Sequence, residues 1–208
     1  MKNLIVWDLE TTGFVDNPEA RIIEIGAVHV KDGEIVERKS WLLNHNIEIP
    51  EVITGITNIT KEMIDAEGID PELAIREFLI FLNKEEYHLT HNGYRFDIPF
   101  FVKEIRRMWS FLPEIMHLSL ERELRDFGQD SAAMYKAKKL NTTQQPIEDF
   151  KDFADRVLNT KAYGVKYNVS IACDELGIDR SKVSLHRALG DVELTYEIYK
   201  KLIDDKNT

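Results

Sequence analysis

Two apolar runs, Arg21 to Val30 and Glu34 to Leu43, flank the turn Lys31-Asp32-Gly33, and this pairing constrains the fold more than any other stretch. Asp-Gly between β-branched segments marks a tight hairpin, because glycine accepts the positive φ that such a turn requires. An earlier run, Leu4-Ile5-Val6-Trp7-Asp8-Leu9-Glu10, reads as a strand stopped by Thr11-Thr12-Gly13. The chain therefore opens on three strands, the last two antiparallel. Thr60 is placed to cap a short helix through Met63 and Ile64. Asp70-Pro71 sets a cap before a helix whose Ile75, Phe78, Leu79 and Leu82 fall at i, i+3, i+4 and i+7. Tyr87 to Thr90 reads as a short strand. Ile98–Trp109, Ser131–Leu140, Ile147–Leu158 and Val169–Leu176 read as helices, the last of these ended by Gly177. A final helix covers Ala188 to Ile203, with Leu185, Leu189, Val192, Tyr196, Tyr199 and Ile203 on one stripe. Strands first, then helices interleaved with a strand, predict an α/β layer fold with a mixed sheet in one domain spanning 1–208.

Charge and composition narrow the function. The chain has 208 residues, 27 Lys plus Arg against 37 Asp plus Glu, and a formal charge of −10. That balance excludes a polybasic protein that coats nucleic acid nonspecifically. It is compatible with an enzyme that holds nucleic acid through bound metal and a local basic rim. Cys173 is the single cysteine, so no intramolecular disulfide forms and no oxidising compartment is required. Leu4 to Trp7 is too short for a signal-peptide core, and no run approaches the ~20 apolar residues of a membrane helix. These features predict a soluble, cytoplasmic globule without a membrane partner.

Among so many acids, the informative ones are those out of place. Asp8 and Glu10 interrupt an apolar strand and, two residues apart, project to the same face. Two like charges that close either sit solvated at the strand's exposed end or share a cation, and hard oxygen ligands suit Mg²⁺ or Mn²⁺. Asp97, in His91-Asn92-Gly93-Tyr94-Arg95-Phe96-Asp97, stands between a strand and a helix, where a first-turn acid complementing the dipole is the plain alternative. Asp191 falls at the edge of the last helix's apolar stripe, about 120° from its centre, where a side chain reaches a cleft. His186, five residues earlier, converges with it only from the preceding loop.

Together these residues carry a resemblance. Asp8-x-Glu10 followed by Thr-Thr-Gly, Asp97 in its His-Asn-x-x-x-Phe-Asp setting, and His186-x4-Asp191 resemble the three motifs of the DEDDh, or DnaQ-like, 3′→5′ exonucleases, in order and across nearly the whole chain. Thr54-Gly55-Ile56-Thr57 also looks like a family segment. The resemblance implies a ribonuclease-H-like fold, a mixed five-stranded sheet with helices on both faces. It implies two divalent cations, Mg²⁺ or Mn²⁺, held by Asp8, Glu10, Asp97 and Asp191 against the scissile phosphate, with His186 as the general base toward the attacking water. Thr11 would present its backbone N–H to the terminal 3′-hydroxyl, with Thr12 beside it in the substrate turn. The expected partner is a single-stranded DNA or RNA 3′ end, and the expected product a nucleoside 5′-monophosphate. The alternative is a non-catalytic nucleic-acid or partner-binding module on the same fold, and the presence of all five motif residues argues against it.

Lys103, Arg106 and Arg107, and Lys136, Lys138 and Lys139, are two basic clusters able to touch a nucleic-acid backbone or to form solvated helix faces. Trp7 is a base-stacking candidate or a core residue. Asp130-Ser131 is the counterpart of the Asp-Thr pair that family members carry at the end of the fifth strand, which leaves 110–129 as an insertion that covers the site's mouth or builds a homodimer contact. Seventeen residues follow Asp191, too few for a tether to a replicative polymerase, which favours a stand-alone exonuclease.

Overall fold

Asp32 and Gly33 both take positive φ, 51° and 86°, and close the hairpin that the Asp-Gly pair predicts. A computed structural model describes residues 2–181, 183 and 187–204. The strands are β1 (Leu4–Thr11), β2 (Ile22–Lys31), β3 (Glu34–Leu42), β4 (His88–Thr90) and β5 (Gly128–Asp130). They form one sheet in the order β3-β2-β1-β4-β5. The β1–β2 and β2–β3 pairs are antiparallel, and β1–β4 and β4–β5 are parallel, so the sheet is mixed as expected. The helices among the described residues are α1 (Glu51–Thr57), α2 (Lys61–Glu67), α3 (Pro71–Leu82), α4 (Asp97–Met108), α5 (Glu114–Asp126), α6 (Ser131–Lys139), α7 (Phe150–Asn159), α8 (Val169–Leu176) and α9 (Ala188–Asp204).

Local chemistry sets most helix starts. Thr60 accepts from Met63 N–H, and Asp70 from Leu73 N–H with Pro71 at the first helical position. Asp130, Asp149 and Asn168 cap α6, α7 and α8 in the same way. The helix expected from Ile147 starts at Phe150 instead, because Asp149 is its cap and Ile147 stands fully in solvent. Residues 110–129 hold α5 and the lead into β5, and Asp130-Ser131 does lie where the fifth strand ends. No described helix is long and apolar enough to cross a membrane.

Strand alternation divides the core in two. Ile5, Trp7 and Leu9 point toward α3 and α4, where Trp7 packs against Phe78 and Phe101 at ring distances of 5.4 and 5.8 Å. Leu4, Val6, Val28 and Val30 point to the other face, toward α6, α8 and α9. Asp8 and Glu10 are even-numbered like Leu4 and Val6, so they face α9. At Gly26, paired with Asp8 across β1–β2, a Cβ would lie 2.4 Å from the Ala188 carbonyl carbon and 2.5 Å from Leu189 N. The first turn of α9 therefore rests directly on the backbone of β2. Gly26→Ala is expected to cost about 1–3 kcal/mol, as overpacking does, read as a lower urea midpoint. It should also displace Asp191, which sits one turn into the same helix α9.

Candidate active site

The sheet opens where β1 outruns β4. Their pairing ends at Val6 with Leu89, so beyond it β1 has a free edge at its carboxyl end, the position where sheets of this type build clefts. Asp8 and Glu10 lie on that extension. The Leu9 N–H between them is taken by Asp97 Oδ1 at 3.1 Å, which brings the first residue of α4 against β1. From the opposite side α9 supplies Asp191. One oxygen from each of Asp8, Glu10 and Asp191 lies within 4.8 Å of the others. A divalent cation with oxygen ligands at about 2.0–2.6 Å fits such a span. Asp97 stands beside this trio, buried, with one oxygen committed to the Leu9 amide.

Like charges in a shielded cleft repel. Burial, then Asp97, Glu10 and Asp191, push the Asp8 carboxyl well above the carboxylate range. Burial, Asp191 and Glu24 push Glu10 up to about 8, with Arg187 pulling the other way. Burial raises Asp97 to about 7 against the opposing Leu9 hydrogen bond. Protons or cations must relieve this crowding, and a set of carboxylates is chemically suited to hard divalent metals. A further observation fits a bound group here. Asn92 Oδ1 is buried without a hydrogen-bond partner among the described residues, in a cleft of about 510 Å³ that it shares with Asp191, Lys166, Tyr167 and Asn168.

The supporting residues come from distant segments. Asp130 accepts from the Asn92, Tyr94 and Ala133 amides at 3.0, 3.2 and 3.0 Å, and so fixes the loop that leads to Asp97. His91 bridges Ser131 Oγ and the Tyr167 carbonyl, and burial lowers it to about 4, so it stays neutral. Thr11 Oγ1 donates to the Gly13 carbonyl and Thr12 Oγ1 accepts from Arg21 N–H, tying the turn after β1 to the start of β2. His186 lies outside the described residues.

Both basic clusters are largely structural. Lys103 donates to the Val15 and Asn17 carbonyls, Arg107 to the Pro18 and Ala20 carbonyls, and Arg106 pairs with Glu114. The loop from Phe14 to Ala20 is thereby strapped to α4. Lys136 is buried on the Leu158 and Thr160 carbonyls, and Lys139 pairs with Glu175. Trp7 is a core residue, fully buried with Nε1 donating to His88 Nδ1 at 3.0 Å. Phe14 is 75% exposed and follows Glu10 by four residues in the loop after β1. Sequence reasoning passed over it because a phenylalanine after Gly13 has no periodic signal.

A mixed sheet whose central strand ends in carboxylates that meet a carboxylate of the last helix is the arrangement expected of the ribonuclease-H-like fold. A family model described as exonuclease, of RNase T type, matches residues 5–199, and the chain belongs to that family. Among curated proteins it is 31% identical over 196 residues to the PolC-type DNA polymerase III of Clostridium perfringens, a match covering 94% of this chain and 11% of that protein. It is 34% identical over 113 residues to the 3′-5′ exonuclease DinG of Bacillus subtilis, covering 54% of this chain and 12% of the relative. The chain thus spans about a tenth of the length of these relatives. Zinc-bound E. coli exonuclease I in complex with single-stranded DNA superposes with a TM-score of 0.71 at 16% identity, over 99% of this chain and 41% of the other.

Proposed function

We propose that this chain removes nucleotides one at a time from the 3′ ends of single-stranded DNA, releasing nucleoside 5′-monophosphates. The observation that carries the reading is the meeting of Asp8, Glu10 and Asp191 at the free end of β1, with Asp97 locked beside them. These four would hold two divalent cations, Mg²⁺ or Mn²⁺, which would polarise the scissile phosphate and acidify the attacking water. Asp8, Asp97 and Asp191 are remote in sequence and meet only where α4 and α9 pack against β1, so the site exists only in the folded chain. His186 takes a proton from the attacking water, a role suited to an imidazole with an unperturbed pKa of ~6.5. The Thr11 backbone N–H meets the terminal 3′-hydroxyl, and Thr12 holds the turn that presents it. DNA is favoured over RNA because relatives matching most of the chain are DNA polymerases of PolC type.

A 5′-labelled oligonucleotide incubated with Mg²⁺ or Mn²⁺ tests this directly. A descending ladder is expected, faster on DNA than on matched RNA. Immediate release of labelled mononucleotide would show the opposite polarity, and an intact substrate would leave the binding-module alternative. Phe14, strapped in place beside the catalytic strand, offers its face to a terminal base. Base–aromatic stacking contributes ~1–3 kcal/mol, so Phe14→Ala should raise KM about tenfold while the melting temperature, set by core residues, stays unchanged. An unaltered KM would remove Phe14 from the substrate path.

A further inference from the structure

One buried carboxylate close to the site is not accounted for by the metal-binding reading. Glu24 lies opposite Glu10 in the β1–β2 register and is 0% exposed. Its position, between Ile23 and Ile25 on the face toward α9, makes it a fifth carboxylate beside Asp8, Glu10, Asp97 and Asp191. A ligand role would need a free lone pair, and Glu24 has none to spare. Oε1 accepts from Ser40 Oγ at 2.8 Å and Arg187 Nη2 at 2.9 Å. Oε2 accepts from Arg187 Nε at 3.1 Å and the Ala188 amide at 3.0 Å. Four donors fill the roughly four acceptor positions of a carboxylate.

Those donors share a purpose. The Ala188 amide belongs to the first turn of α9, where unpaired N–H groups and the helix dipole favour an anion. Arg187 directly precedes the helix and clamps the same carboxylate in a fork, the geometry that fixes orientation as well as charge. Asp191 follows Ala188 by three residues and so stands about one turn further along. Gly26, two residues from Glu24 on the same face, lets that turn seat on bare backbone.

We infer that Glu24 is a positioning residue. Through Arg187 and the Ala188 amide it seats the first turn of α9 on β2, and so sets the distance from Asp191 to Asp8 and Glu10. The inference rests on the metal-site reading above and assigns Glu24 no contact with substrate or cation.

Mn²⁺ binding to the full chain, followed by electron paramagnetic resonance without substrate, tests it. Partners that orient metal ligands typically influence affinity by ~10–100-fold. Glu24→Ala is expected to weaken Mn²⁺ binding at least tenfold, and to raise the metal concentration for half-maximal cleavage in step, with little change in the KM for oligonucleotide. The double variant Glu24→Gln with Arg187→Gln removes the ion pair at constant net charge, so it separates geometry from charge. Weakened binding in the folded double variant supports the inference, and wild-type binding overturns it. Should Glu24→Ala fail to fold, the double variant decides alone. If the unaltered chain binds no Mn²⁺, the metal-site reading itself falls, a different result from an unaltered chain that binds and a double variant that binds equally well.

Discussion

Asp8→Asn is expected to reduce nuclease turnover by about 10³-fold or more, the scale on which removing one member of a catalytic cluster disables the whole, while making the metal-free protein harder to melt. The two effects share one cause. Asp8 sits at the centre of the acidic cluster, with Asp97, Glu10 and Asp191 all raising its carboxyl from different elements. In the metal-free protein that negative charge is a liability, and a neutral amide of the same shape relieves it. A tenfold change in a carboxyl's proton affinity corresponds to ~1.4 kcal/mol, and each kcal/mol to ~2–4 °C in a chain of this size, so a rise of a few degrees in EDTA is expected at about pH 8.5. At about pH 5.5 the gain should be smaller, because the penalty of a raised native carboxyl starts at the unfolded value of 3.8 and grows as pH rises above it. Thermal melts in EDTA at both pH values, beside single-turnover cleavage, check the pair of effects. Retained turnover would remove Asp8 from the chemistry. A melting temperature lowered in EDTA at the higher pH would mean that Asp8 is a structural support rather than a strained ligand.

What made Asp8 and Glu10 readable was local: charges inside an apolar strand, two residues apart. The same signal marks Glu24, flanked by isoleucines in β2, yet it stands alone in its strand without a carboxylate two residues away. The hairpin and the caps at Thr60 and Asp70 were equally legible, since each is decided by three or four consecutive residues. Helix α5 was not. It buries only His117 and Leu124, while Ile115 and Met116 face solvent, so no apolar stripe follows the helical period. Helix α1 is β-branched and contains Gly55, a composition that local propensity assigns to strand or loop. Lys103, Arg107 and Lys136 read as free charge because their acceptors are backbone carbonyls more than twenty residues away, which a pattern of side chains does not reveal.

The largest effect of pH should be on the grip of the site for its cation. Glu10 moves from 4.5 to about 8 and Asp97 from 3.8 to about 7 on folding, and Asp8 moves in the same direction. Between the unfolded and folded values the native state holds protons that the unfolded chain has released. Stability of the metal-free protein must therefore fall as pH rises through that window. The buried histidines act in the opposite sense but elsewhere. His88 and His91 are lowered to about 4, so their contribution grows with pH only up to the unfolded value of 6.5 and is then flat. Above about pH 6.5 the acidic site dominates the slope. A cation replaces those protons, so each one displaced should tighten Mn²⁺ binding about tenfold per pH unit until the carboxyls ionise. Melting temperatures from about pH 6.5 to 8.5 should thus decline in EDTA and stay level or rise in saturating Mg²⁺, the gap between the two curves widening with pH. Parallel curves would mean that no proton leaves when the cation enters, and the three convergent carboxylates would then have to be ionised and solvated without it.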